Sequence, residues 1–177
     1  MSVTISSGNS QVSKTTNDAS LCLFTSPNGY FITNYDMLTT SFPTKARIRE
    51  IFAHLVAGDA PSFYAHVADD VDWTVMGTHA LSGHYPNKAT FMSQSLARIS
   101  GVFDGPIKLH IRSIIGGEVE EWAVVELAAE ARCKNGMAYD NTYSWSTRWK
   151  DGMIVEVRAY LDGLLLNRAL SENENKI

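Results

Sequence analysis

The feature that most constrains the fold is an alternation of apolar and polar residues between positions 122 and 161, interrupted twice by tight-turn dipeptides. Asn135-Gly136 and Asp151-Gly152 are pairs that tolerate the two positive φ angles of a two-residue hairpin. A period of two is typical of strands that bury one face. The sequence therefore predicts three antiparallel strands joined by hairpins, over residues 122–132, 137–149 and 153–161.

Helices are predicted on the N-terminal side of these strands. From Lys45 to Ala57 apolar side chains recur every three or four residues, which defines one face of an amphipathic helix. Asp59 is suited to cap a short second helix, and Asn87 to cap a third over 88–100. Strands over 71–76 and 107–112 and a short helix over 164–170 complete the order. This order predicts an α+β fold, in which an antiparallel sheet carries helices on one face and leaves a conical cavity at its open end.

Composition excludes several functional classes. With 177 residues, 45% hydrophobic and 19% charged, the chain is in the range of one compact domain. The net charge is −4 and the basic residues are scattered, so neither nucleic acid nor a membrane surface is expected as a partner. No leader and no long apolar run are visible, which favours a cytoplasmic location. Cys22 and Cys133 lack the spacing of a disulfide framework or a zinc site, so reduced thiols are expected.

Four segments are expected along the chain. Residues 1–20 are rich in Ser, Thr, Asn and Gln, so a disordered polar segment is predicted. Residues 21–44 contain clustered apolar side chains around a Pro27-Asn28-Gly29 turn, which favours an arm that packs on the body or on a partner subunit. A single domain is expected over 45–170, followed by a polar tail over 171–177.

Several local motifs, taken with the order of elements, resemble the SnoaL-like polyketide cyclase family of the nuclear transport factor two-like superfamily. The resemblance covers about residues 45–168. It implies a cone in which a curved, mixed, mostly antiparallel sheet wraps around three helices. The motifs that carry it are Ala57-Gly58-Asp59, Ala68-Asp69-Asp70-Val71-Asp72-Trp73, His79-Ala80-Leu81-Ser82-Gly83-His84-Tyr85 and Gly152-Met153-Ile154-Val155-Glu156-Val157-Arg158-Ala159-Tyr160-Leu161-Asp162.

The resemblance implies an enzyme of secondary metabolism. Its expected reaction is isomerisation, cyclisation or dehydration of a polyketide-like or terpenoid-like small molecule by general acid and base catalysis. No nucleophile elbow, phosphate loop or dinucleotide motif is present, so neither a cofactor nor a metal is expected. The alternative is a non-catalytic binding or assembly protein, because this fold hosts both kinds of function.

Two related activities need residues that this chain lacks. A ketosteroid isomerase would place its general base, its oxyanion-hole acid and its oxyanion-hole Tyr, by the shared spacing, on Val75, Trp145 and Ile51. A limonene epoxide hydrolase would need Asp, Arg and Asp where a gap-free count gives Ala128, Glu126 and Ala159. Both reactions, by those residue sets, are therefore excluded.

The shared spacing also implies which side chains line the cavity, because side chains alternate across a strand. The strand predicted over 137–149 agrees, since its odd positions are mostly aromatic. The preceding strand conflicts, because its odd positions are apolar whereas its even positions include Glu126. Glu126 is thus either a carboxylate in the pocket or a residue on a polar exterior. The full set that the spacing places inside is Trp73, Val75, Glu126, Tyr139, Asn141, Tyr143, Trp145, Val157, Ala159 and Leu161.

Four of the chain's side chains are candidates for catalysis. An aromatic cavity would raise the pKa of Glu126 into a range useful for proton transfer. His79 lies in a loop near the expected cavity mouth, where it is either a proton carrier or an exposed loop residue. Tyr143, together with Asn141, is expected to donate hydrogen bonds to a developing enolate. Asp162 is either a helix cap or an acid or base at the mouth.

The remaining lining residues are expected to form the walls that bind substrate. Trp73, Tyr139 and Trp145 are suited to hold a flat polycyclic molecule. The alternative for these aromatic residues is ordinary core packing. On the opposite side of the sheet, Arg158 and Tyr160 are expected to face a second copy of the chain in a homodimer.

Overall fold

The computed structural model describes residues 23–25, 31–33 and 42–174, and the chain divides into two compact units, Met1–Leu38 and Thr39–Ile177. In the first unit, strands β1 (Leu23–Thr25) and β2 (Phe31–Thr33) pair antiparallel. The polar segment expected over 1–20 lies outside the described residues. Most of the expected arm over 21–44 does so too.

The second unit has the α+β architecture that the sequence predicts. Its sheet has six strands in the order β4-β3-β8-β7-β6-β5, of which β3 and β8 are parallel and the other neighbours antiparallel. The predicted curved, mixed sheet with its helices is therefore confirmed. The elements are α1 (Lys45–Val56), α2 (Ala60–Tyr64), β3 (Val67–Val75), β4 (Gly83–Tyr85), α3 (Lys88–Phe91), a π-helical turn (Met92–Leu96), α4 (Ala97–Ser100), β5 (Lys108–Gly116), β6 (Trp122–Glu130), β7 (Thr142–Lys150), β8 (Met153–Leu161) and α5 (Gly163–Asn173).

The first two helices form for the reasons visible in the sequence. Helix α1 buries Ile48, Ile51 and Phe52, which lie on one face at helical spacing. Helix α2 begins at the Asp59 cap, whose Oδ1 accepts a hydrogen bond from the Ser62 N–H at 3.1 Å. Both helices supply side chains to the interior of the cone.

The third predicted helix is interrupted by a π-helical turn. Asn87 caps it as expected, through a 2.8 Å bond from the Thr90 N–H to the Asn87 side chain. The residues Met92–Leu96 then take π-helical spacing before α4 resumes the α-helix. Such turns hold one extra residue and are frequent at functional sites. At the chain's other end, α5 reaches Asn173 rather than ending at 170.

The hairpin between β6 and β7 differs from the prediction by one residue. The Cys133 N–H donates to the Met137 carbonyl, and the Gly136 N–H to the Cys133 carbonyl, both at 2.8 Å. The loop thus contains three residues, 134–136, with Gly136 at a φ of 86°. A two-residue loop would have set Glu126 opposite Trp145, whereas here Val125 pairs with Trp145.

This one-residue difference decides which face of β6 packs in the interior of the cone, because side chains alternate with a period of two. Val125 and Leu127 are buried, whereas Glu126 pairs with Ser144 on the outer face. The apolar odd positions of β6 indicate the true inner face. The hairpin between β7 and β8 agrees with its prediction, since Asp151 and Gly152 have φ angles of 50° and 77°.

The buried side chains form two clusters inside the cone. The larger contains the inner residues of α1, α2 and β3 together with those of β6, β7 and β8. The smaller gathers Leu81, Val102, Cys133 and Tyr139 around the buried face of α5. Side chains from both clusters meet around one cavity. Among the described residues, no helix has the length and apolar character needed to cross a bilayer.

Candidate active site

The cavity inside the cone has a volume of about 350 Å³ and is predominantly apolar. The sheet supplies Trp73, Val75, Trp145, Ala159 and Leu161 to its lining, and α5 supplies Leu166. Ligand pockets for small molecules typically start near this size and are apolar with few polar groups. The cavity is thus suited to a small apolar molecule.

Stacked aromatic rings form one wall of this cavity. Trp73 stacks on Phe91 with ring centroids 3.9 Å apart and an angle of 15° between the planes. Trp145 meets Trp73 edge to face, at 5.4 Å and 80°. Tyr143 contacts Trp145 in a similar geometry at 6.2 Å. These contacts hold the rings in fixed orientations, so the wall is rigid and flat-sided.

A pair of tyrosine hydroxyl groups is the main polar feature of the lining. The Asn141 Nδ2 donates to the Tyr139 hydroxyl at 2.8 Å. Tyr143 neighbours Tyr139, and the interaction of their side chains lowers the pKa of Tyr139 and raises that of Tyr143. Tyr139 is 0% exposed, whereas Tyr143 is partly exposed. Tyr143 is therefore the phenol of the pair that a molecule in the cavity can reach.

Burial keeps these phenols neutral. It raises the pKa of Tyr143 well above its ordinary value of 10.0, and it raises the pKa of Tyr139 although the hydrogen bond from Asn141 and the neighbouring Tyr143 lower it. It also raises the pKa of Tyr64, which lines the same cavity. The three groups are therefore hydrogen-bond donors rather than bases near neutral pH.

No charged side chain accompanies them. Among the described residues that line the cavity there is no Asp, Glu, His, Lys or Arg. Nor do the described residues include a group of three His, Cys, Asp or Glu side chains placed to hold a metal. The lining itself can bind an apolar molecule, restrict its conformation and donate hydrogen bonds from neutral groups.

Two further donors in the lining have no partner within the described part of the chain. The indole Nε1 atoms of Trp73 and Trp145 are buried and make no hydrogen bond. The chain's Trp149, by comparison, donates its Nε1–H to the Thr147 hydroxyl at 2.9 Å. A buried donor without an acceptor costs free energy.

The expectation that Glu126 lies in the pocket is wrong. Its side chain is exposed on the outer face of β6, where it lines an open groove with Arg112 and Tyr160. The cause is the three-residue loop, which shifts the pairing of β6 and β7 by one position. The exterior position, the alternative that the alternation of β6 favoured, is the one adopted.

His79 is buried, yet it does not line the cavity. Its side chain is 8% exposed and packs against the start of α5, where a Cβ at Gly163 would come within 2.7 Å of its ring. Its Nε2 lies 3.1 Å from the Met76 carbonyl, and its Nδ1 accepts from the Leu81 N–H at 3.3 Å. Burial lowers the pKa of His79, so the ring is neutral with both nitrogens engaged. It is therefore a structural contact rather than a proton carrier at the mouth.

Asp162 and Asn141 both accept hydrogen bonds from backbone N–H groups. The Asp162 Oδ1 accepts from the Leu164 and Leu165 N–H groups at 3.0 Å each, so Asp162 caps α5 and the capping alternative is the one observed. Asn141 is 1% exposed, and its Oδ1 accepts from the Asp162 N–H at 3.0 Å. Asn141 thus lies behind the lining, from where it holds the Tyr139 hydroxyl.

The structure brings most of the predicted wall residues together around the cavity. Glu126 and Asp162 instead line the outer groove, and His79 lines neither. Tyr143 alone of the four catalytic candidates lines the cavity. Sequence reasoning missed a second set of lining residues, which come from the helices and the following loop. Phe91, Ser95 and Ile99 are spaced four apart on one helix face, and that spacing was the available signal. The missed residues include Tyr64, Phe91, Ser95, Leu96, Ile99 and Phe103.

Comparison with curated proteins finds two fungal relatives. The chain is 33% identical over 129 residues to the dimerizing cyclase phiC of a fungal species, covering 72% of this chain and 57% of that protein. It is 30% identical over 121 residues to the dimerizing cyclase tstC of Talaromyces stipitatus, covering 67% of this chain and 54% of that protein. The chain thus spans just over half the length of these relatives. No family model matches it.

Comparison with solved structures identifies the fold. A nuclear transport factor two-like protein of Burkholderia thailandensis superposes with a TM-score of 0.60 at 17% identity, covering 71% of this chain and 95% of that one. At this identity the likeness concerns the fold, and it agrees with the six-stranded sheet described above.

Proposed function

We propose that this chain, which has a nuclear transport factor two-like fold, is a cyclase that folds an apolar polyketide-type molecule within its cavity and closes a ring. The observation that carries the proposal is the cavity of about 350 Å³ with the two neighbouring tyrosines, Tyr139 and Tyr143, in an apolar lining. The two fungal relatives, both named dimerizing cyclases, indicate the class of reaction. Because those relatives are dimerizing cyclases, joining two molecules before or during ring closure is included in the proposal.

The lining residues would act by binding and by stabilising negative charge. Ring closure through an enolate places charge on a carbonyl oxygen, and donors fixed at that oxygen stabilise it. Tyr143 is the partly exposed phenol of the lining, and the proposal gives it this contact, which is the role that the sequence predicted for it. Tyr139, whose oxygen accepts from Asn141, lies beside it. The proposal assigns no base, because no described lining residue is one.

Mass spectrometry of pathway extracts incubated with and without the full chain tests the proposal. Closure by addition gives a product of unchanged mass and new retention time, and joining two molecules gives a product with the sum of their masses. Tyr143→Phe should lower the rate by about 10²- to 10³-fold, the usual contribution of one such donor. Tyr160→Phe, at an outer-face residue that is 48% exposed, is the matched control and should leave the rate unchanged.

Identical product profiles with and without the protein would overturn the catalytic proposal. The second candidate function is then binding or assembly without catalysis. One observation favours it: Glu126, His79 and Tyr143 do not converge on one cavity. Isothermal titration with an extract component that binds but is recovered unchanged would support that reading.

The homodimer and the cytoplasmic location stay predictions. The outer face of the sheet that would form the dimer carries Arg158, whose guanidinium lies 4.5 Å above the Trp122 ring. Arg158 and Arg148 both bond to Glu156, at 2.8 and 2.9 Å. Sedimentation at micromolar concentration would contradict the dimer if it gave a mass near 19.5 kDa.

A further inference from the structure

We infer that the hydroxyl groups of Tyr64 and Ser95 bind an oxygen group, a carbonyl or a hydroxyl, of an uncharged ligand in the cavity. They are thus specificity-determining residues on the helices, in addition to Tyr143 on the sheet. This inference rests on the proposed function, because it names the class of molecule that the same cavity takes.

The first support is the lack of partners for these two hydroxyls. Ser95 is 5% exposed and Tyr64 is 6% exposed, yet neither hydroxyl makes a hydrogen bond to a described residue. Burial raises the pKa of Tyr64 with no contribution from a hydrogen bond. By comparison, the Ser93 and Tyr85 hydroxyls each donate to a backbone carbonyl, at 2.9 and 2.8 Å. A ligand would supply the partner that the protein does not.

The second support is that both hydroxyl oxygens can be reached from the cavity, which both residues line. Among the described residues, the side-chain polar atoms that are fully buried without a partner are the indole nitrogens of Trp73 and Trp145. The hydroxyls of Tyr64 and Ser95 also lack a partner, but they are not fully buried in this way. Because the two residues are otherwise buried, the accessible surface of these oxygens faces the cavity.

The third support is the placement of the two residues beside one aromatic stack. The Tyr64 ring contacts the Trp73 ring at 6.5 Å, and Trp73 stacks on Phe91 at 3.9 Å. Ser95 follows Phe91 by four residues, about one helical turn, and lies in the π-helical turn. Both hydroxyls therefore belong to the helix side of the lining, whereas Tyr143 is on strand β7.

The chemistry of the lining restricts the ligand's oxygen group to an uncharged one. Because burial raises the pKa of Tyr64, its phenol is neutral, and the Ser95 hydroxyl can donate or accept. No Lys, Arg or His side chain is among the described residues around the cavity. A carboxylate would lose its hydration there without gaining a counter-charge, which is costly. A carbonyl or hydroxyl group loses less and matches both partners.

Isothermal titration of the full chain with three probes tests the inference. Indane has no oxygen, 1-indanone adds a carbonyl, and indane-2-carboxylate adds a charge. The double variant Tyr64→Phe with Ser95→Ala removes only the two hydroxyls. It should lower the preference for 1-indanone over indane by roughly 2- to 10-fold, the effect of one hydrogen bond. The single variants divide this effect between the two residues.

Stability provides the second readout. Because neither hydroxyl has a partner among the described residues, the double variant should not lower the melting temperature. Tyr85→Phe with Ser93→Ala is the matched control, since both residues lie outside the lining and their hydroxyls are bonded to the backbone. The control should lower the melting temperature and leave the preference for 1-indanone unchanged.

The outcomes separate this inference from the proposed function. An unchanged preference in the double variant would overturn the inference, and so would a loss confined to Tyr143→Phe, which would place the carbonyl at the sheet. If indane-2-carboxylate binds as tightly as 1-indanone, the restriction to uncharged ligands is overturned. If none of the probes binds, the inference is overturned too. The proposed function is decided separately, by the product profiles that report ring closure.

Discussion

Replacing Asn141 by Ala should destabilise the protein substantially, because this amide joins two strand ends to the tyrosine pair. Its Nδ2 donates to the Tyr139 hydroxyl at 2.8 Å and to the Asp162 carbonyl at 3.3 Å. Its Oδ1 accepts from the Thr142 and Asp162 N–H groups at 2.7 and 3.0 Å. The side chain is 1% exposed, so water has little access to replace these bonds.

The magnitude follows from counting the bonds that are lost. A typical intramolecular hydrogen bond contributes about 1 kcal/mol net, and a buried group left without a partner costs about 1–3 kcal/mol. The two backbone N–H groups are only partly buried, so water recovers some of their loss. The free energy of unfolding should therefore fall by about 2–4 kcal/mol.

Urea denaturation followed by circular dichroism measures this change, provided that the slope with denaturant stays constant. Asn167→Ala is the matched control. Asn167 is exposed on α5, and its Oδ1 accepts one bond from the Ala80 N–H at 2.8 Å, so a loss of about 0.5–1.5 kcal/mol is expected. A loss in Asn141→Ala no larger than that of the control would refute the reasoning, since the buried amide would then contribute no more than a surface one.

Three further predictions follow from the site. Gly163→Ala should destabilise by about 1–3 kcal/mol in thermal melts, because the new Cβ would meet the His79 ring at 2.7 Å; an unchanged melting temperature would show that the ring moves aside. Glu126→Gln should leave both the stability and the rate of ring closure nearly unchanged, since Glu126 faces outward; a markedly lower rate would contradict this outward position. The hydrogen bond from Arg98 lowers the pKa of Glu174 below its ordinary value of 4.5. The stabilisation that this ion pair gives the folded chain is therefore present above that pH and is lost as the pH falls through the lowered pKa. Glu174→Gln should thus make the stability depend less on pH on the acid side. Thermal melts at a series of acidic pH values measure this dependence, and a slope equal to that of the unsubstituted chain would contradict the prediction.

Local patterns in the sequence predicted most of the fold because they report local physics. The spacing of Ile48, Ile51 and Phe52 gives the buried face of α1, and Asp151-Gly152 gives a turn that the φ angles confirm. These features depend on backbone preferences and on burial of one face. They hold whatever the rest of the chain does.

The residues of the site were harder to predict because they depend on the length of the hairpin loop between β6 and β7, which the local sequence does not determine. Asn-Gly suits a two-residue loop, but a Gly with positive φ equally suits the three-residue loop found at 134–136. That choice moved Glu126 from the cavity to the outer face. His79 was misplaced for a related reason, since its packing partner Gly163 is distant in sequence.

The π-helical turn Met92–Leu96 makes the shape of the cavity sensitive to how this helix winds. Such a turn holds one residue more than an α-helical turn, so the helical segments on either side keep the phase that they would have with one residue fewer. If the same residues wound as a regular α-helix, the two segments would rotate about the helix axis by roughly 100° relative to each other. Phe91 and Ile99 would then no longer face the same void. Winding this turn as a regular α-helix at unchanged length would therefore remodel the interior, whereas deleting its extra residue would leave both side chains where they are.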